Sequence, residues 1–65
     1  MTDYSATVQM LTRHYLHFKE IVSNPHDHHS TVVERSRQCM EMREELLIDL
    51  SNKIIKELER NHGIL

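Results

Sequence analysis

A single proline, Pro25, and a single glycine, Gly63, are the only residues in this chain that break regular backbone outright. A sheet protein needs several tight turns and runs of alternating β-branched or aromatic residues, and neither is present, so helix is the default. Upstream of Pro25, with Thr2 or Asp3 as a cap, Tyr4, Val8, Leu11, Tyr15, Phe18 and Val22 recur at alternating spacings of four and three. That spacing keeps all six on one helical stripe. Ser23-Asn24-Pro25 ends the helix, because a residue before proline is pushed out of the α region and proline has no amide hydrogen to donate.

The segment from Pro25 to Ser30 has no apolar side chain beyond the proline ring and reads as a connection. Thr31-Val32-Val33-Glu34 fits a capping box, with the Thr hydroxyl and the Glu carboxylate each satisfying an amide at the start of a second helix. Its seam runs through Val33, Met40, Leu47, Leu50, Ile54 and Leu58, with Cys39 and Leu46 alongside. Gly63 can adopt the left-handed conformation of a Schellman cap, which lets Ile64 fold back on Leu58.

The fold expected is therefore all-α, a single domain over 1–65. It is an antiparallel helical hairpin with a helix over about 3–22, a turn over 23–30 and a helix over about 31–62. These lengths predict that the first helix covers the second only as far as about Leu50. A chain of 65 residues also buries little of its surface, so its core needs a supplement such as a disulfide, a metal or a partner. The one cysteine, Cys39, cannot make an internal disulfide, and its presence alone fits a reducing, cytoplasmic setting. Ile48 and Ile55 stand about 100° around the helix from the main seam, which is too wide an apolar arc for one neighbour. The expectation is a homodimer, a four-helix bundle of coiled-coil-like helices. Its interface would draw on Leu47, Ile48, Leu50, Ile54, Ile55, Leu58, Ile64 and Leu65.

Three clusters invite a chemical reading. His26, Asp27, His28 and His29 carry imidazole and carboxylate groups that suit zinc, nickel or copper. They crowd into one loop without the paired spacing of a structural site, so the reading is a solvated turn, with no metal or other cofactor. His14 and His17 would lie across from the Ser36–Cys39 region, but a thiol near an apolar seam is normally inert, and a two-helix chain offers no closed pocket. No catalytic site is expected, and the protein is read as a non-enzyme. Arg43 interrupts the stripe between Met40 and Leu47, so it either pairs with a carboxylate or packs its stem and lifts its head to water. Met10, Met40 and Met42 fit gap-filling in a core or an adaptable binding surface.

The net charge of −2 gives no general attraction to a phosphate backbone. The alternative reading, a nucleic-acid-binding regulator or a metal- or pH-responsive module, relies on the turn end, where Arg13, Lys19, Arg35 and Arg37 accompany the histidines. No leader is visible, and the longest apolar run is Leu46-Leu47-Ile48, so export and membrane insertion are not expected. The first helix is amphipathic but lacks the cationic stripe that anionic lipid would select. The expectation is a regulatory interaction protein that self-associates and binds another macromolecule, another protein before a nucleic acid. Small plasmid- and phage-encoded regulators often take this form. In architecture it resembles the plasmid copy-control hairpin dimer that binds paired RNA loops, a likeness of shape with no shared motif.

Overall fold

The structure, a computed structural model, describes residues 3–62, and for His62 the backbone alone. Two helices, α1 (Ser5–Ser23, 19 residues) and α2 (Ser30–His62, 33 residues), are joined by a connection containing one 3-10 turn, Pro25–Asp27. Among the described residues there is no strand, and no helix is long and apolar enough to cross a membrane.

Both ends of α1 and the start of α2 have local causes. At the start of α1 the Asp3 carboxylate accepts the Ser5 N–H at 2.9 Å, meeting one of the amides that a helix leaves without an internal partner. At its end the Ser23 hydroxyl donates to the Lys19 carbonyl at 2.8 Å, and the Asn24 amide donates to the Glu20 carbonyl at 3.0 Å. These side chains satisfy the last carbonyls just where Pro25 forbids another turn. The start of α2 differs from the capping box expected at Thr31 and Glu34. The helix begins one residue earlier, so Thr31 lies inside it and supplies a donor: its N–H reaches Nδ1 of His29 at 3.1 Å. The His29 carbonyl accepts the Val33 N–H at 3.1 Å, so His29 holds the capping position. The Gly63 cap and the fold-back of Ile64 lie outside the described residues.

The helices run antiparallel. Phe18 of α1 lies beneath the Arg43 guanidinium of α2, 4.9 Å from its ring centre, and the Tyr4 hydroxyl donates to Oε1 of Glu57 at 3.3 Å. The second contact corrects the expectation that α1 covers α2 only to Leu50. At about 1.5 Å per residue, Phe18 level with Arg43 places Ser23 level with about position 38. The connection from Asn24 to His29 therefore spans the first two turns of α2, and α1 is displaced by that amount toward the far end. Ser36, on the side of α2 that faces α1, lies just past the end of α1, level with the start of the connection at Pro25, and is only 4% exposed.

The result is a single layer. Its extents are 51 × 19 × 13 Å, the length of α2, the width of two helices and the thickness of one. The radius of gyration is 15.6 Å. A compact domain of this length would have about 11 Å. A layer one helix thick leaves both flanks of the seam open to solvent, and among the described residues no apolar side chain is buried.

Candidate functional site

The seam between the helices sets what remains outside it. Val8, Leu11, Tyr15, Phe18 and Val22 of α1 face Val33, Met40, Leu47, Leu50 and Ile54 of α2, all half-buried. Two polar contacts mark the two ends of this seam. Toward the turn, Arg43 stacks on Phe18 and donates from Nη1 to the Cys39 carbonyl at 3.1 Å, while its Nε is buried without a hydrogen-bond partner. Arg43 thus lies on an aromatic face within the seam, and among the described residues no carboxylate pairs with it. Toward the open end, Oε2 of Glu57 is likewise buried without a partner, and Oε1 takes the long Tyr4 bond.

Outside the seam, large apolar side chains stand in water on both sides of the layer. One side carries Ile48 (55% exposed), Ile55 (49%) and Leu58 (40%) of α2. Tyr15, Glu44, Leu47, Ile48, Ser51 and Asn52 line an open groove there, of ≈ 330 Å³. The other side carries Met10, Met42 and Leu46 and has a smaller groove, ≈ 180 Å³, lined by Thr7, Leu11, Leu46, Asp49, Leu50 and Lys53. Ile48 and Leu46 lie about 160° apart around α2, which is why they serve opposite sides.

Of the residues expected at an interface, Leu47, Leu50 and Ile54 are half-covered by α1, while Ile48, Ile55 and Leu58 are exposed. Ile64 and Leu65 lie outside the described residues. Leu16 is 54% exposed and Met10 50%, and neither was among the expected interface residues. Both fall off the four-three stripe of α1, so the pattern that found the seam passed over them. Helix-wheel angles alone would have placed them on its flanks.

The other clusters are arranged as follows. His26, Asp27, His28 and His29 are all exposed, and His29 Nδ1 is engaged at the helix start. Among the described residues no group of three or more His, Cys, Asp or Glu side chains is placed to hold a metal ion. His14 and His17 are not across from Cys39 as expected. The same displacement of α1 sets them level with about positions 44 to 47, both exposed, His17 edge-on to Phe18 at 5.2 Å. Cys39 is a half-buried free thiol.

The surface as a whole is larger than a chain of this mass should present. It measures 5279 Å², against about 4400 Å² for a compact monomer by the usual scaling with mass. The excess is close to the roughly 800 Å² that each partner contributes to a standard protein interface. Comparison with protein-family models, curated proteins and solved structures finds no match to this chain.

Proposed function

We propose that this chain is a non-enzymatic interaction module: a helical hairpin that pairs with a second copy in a four-helix bundle and acts by docking on another macromolecule, most simply a protein. The observation that supports this reading is that, among the described residues, no apolar side chain is buried and eight large ones are 40% exposed or more. Half-covering a large aliphatic side chain is worth about 1 kcal/mol, so two chains that close Ile48, Ile55 and Leu58 of each on the other gain about 6 kcal/mol. That is within the range of the translational and rotational entropy that association gives up. A symmetric partner supplies the missing layer with no second gene product, and a reducing, cytoplasmic setting leaves Cys39 a thiol.

The side carrying Ile48, Ile55 and Leu58 is the better dimer face. Its groove has one charged residue in its lining, Glu44, where the opposite groove has two, Asp49 and Lys53. Interface cores are depleted of charge. Analytical ultracentrifugation at tens of micromolar tests the reading. The wild type should sediment as a dimer, and a stably helical monomer would rule self-association out.

A further inference from the structure

On the dimer face, α2 carries one continuous stripe, Arg37, Glu41, Glu44, Ile48, Ser51, Ile55 and Leu58, at alternating spacings of four and three, and every member is exposed. Its first three residues are charged. Its last four are apolar except for Ser51, the smallest of them, and the groove opens beside Ile48 and Ser51 with Tyr15 as its far wall. One turn further on, Ile55 and Leu58 stand up as a ridge. Hollow and ridge lie on the same face, side by side along the helix.

We infer that the groove is the seat for the ridge of a second copy, so that Ile55 of each chain packs on Ser51 of the other and Leu58 of each reaches Ile48 and the groove floor. This rests on the self-association proposed above and specifies its mode. Two features favour a copy over a foreign helix, and a third sets the direction of the pairing. First, the surface is self-complementary: a two-fold axis crossing the dimer face at the level of position 53 exchanges hollow and ridge, so both contacts form at once. An isologous interface requires that reciprocity. Second, the excess accessible surface of the lone hairpin is about what one partner contributes to a standard dimer interface. Third, the charges select the antiparallel arrangement. In a parallel pair, Glu41 and Glu44 would face their own copies across the stripe, whereas the two-fold moves each at least about 27 Å along the axis from its own copy.

The groove volume of ≈ 330 Å³ is space for side-chain atoms, not for one or two bound waters. A water occupies about 30 Å³ of liquid, and water against apolar walls such as Leu47 and Ile48 has few hydrogen-bond partners, so apolar groups that displace it gain affinity. Ser51 matters here through its size. A large side chain at this position fills the hollow, and a small one at position 55 removes the ridge.

The test is a size exchange between two chains. Ser51→Phe alone should raise the dimer Kd at least about tenfold, because the overpacked contact occurs twice in the symmetric pair. Ile55→Ala alone should weaken the dimer by trimming both ridges. Mixed together, the two variants form a pair with one wild-type contact, Ser51 against Ile55, and one exchanged contact, the added ring against the trimmed ridge. The mixture should therefore recover a 1:1 heterodimer with a Kd within about threefold of the wild type, read by native mass spectrometry and by the return of helical circular dichroism. This rescue occurs only between chains, so it is informative even if Ser51→Phe alone unfolds. A Ser51→Phe variant that dimerises like the wild type, or one that Ile55→Ala fails to rescue, overturns the reciprocal contact while leaving a dimer by another face. A monomeric wild type overturns the self-association reading itself.

Discussion

The two sides of the helical layer expose similar numbers of large apolar side chains, yet they are made of different materials. One has Ile48, Ile55 and Leu58 around a groove with a single charge in its lining; the other has Met10, Met42 and Leu46 around a groove walled by Asp49 and Lys53. Isoleucine is branched at Cβ and stiff, so a surface built on it fits one shape well. Methionine has three rotatable bonds and a polarizable sulfur, so a surface built on it accommodates several shapes, and flanking charges orient what arrives. The contrast suggests a division of labour in which the isoleucine side meets a copy of itself and the methionine side remains outward in the dimer, available to a different macromolecule.

The largest effect that could break this comparison comes from placing one carboxylate on each side. Ile55→Asp should shift the sedimenting species from dimer to monomer at tens of micromolar, since an unpaired charge buried in an apolar contact weakens association by at least about a hundredfold. Met42→Asp should leave the mass unchanged and the melting temperature nearly so. If Met42→Asp dissociates the dimer and Ile55→Asp does not, the two sides have been assigned the wrong way round.

A smaller effect should reach both sides equally. Phe18 holds the layer together from within, half-buried in the seam with the Arg43 guanidinium on its face. Full burial of a phenylalanine gives 3–5 kcal/mol on truncation, so Phe18→Ala at a half-buried position should destabilise by about 2 kcal/mol, including the lost stacking. Urea unfolding at several protein concentrations would measure it. Because the seam supports both flanks, the loss should be the same with or without Met42→Asp in the same chain, and strong coupling between the two would mean that the methionine side is part of the seam.

The hairpin was legible because its causes are local. Tyr4 to Val22 at four-three spacing, and Val33 to Leu58 after a proline, are enough to specify two amphipathic helices, and a short connection makes them antiparallel. The offset of Ile48 and Ile55 from the seam could also be counted from the sequence. The register could not. It depends on how the six residues from Asn24 to His29 are folded, and the 3-10 turn at Pro25 spends them along the axis of α2, carrying Tyr4 to Glu57 instead of to Leu50. The same shift separates His14 and His17 from Cys39. The cap at His29 was hidden for a different reason: Thr31 and Glu34 have the right spacing for a capping box, and an imidazole nitrogen is an uncommon substitute for a hydroxyl or carboxylate acceptor.

The smallest effect expected lies at the start of α1, which belongs to neither side and so serves as a control for both. Asp3 is exposed, and its carboxylate accepts the Ser5 N–H at the positive end of the helix. Those hydrogen bonds from Ser5 hold the Asp3 carboxyl below the usual carboxylate range, with the slight desolvation opposing them. A depressed folded-state pKa means that the ionised form is favoured by folding. The stabilisation is therefore fully present above the ordinary carboxylate range and is lost as pH falls through that range to the lowered value of Asp3 itself. The melting-temperature difference between the wild type and Asp3→Ala should be small and constant from neutral pH down to about pH 5, then close as pH falls through the carboxylate range. Asp3→Asn, which keeps an acceptor oxygen but not the charge, should retain part of the difference and none of its pH dependence. The dimer mass should be the same for all three proteins. A difference that persists unchanged into acid would show that the backbone conformation before Ser5, and not the carboxylate, is what starts the helix.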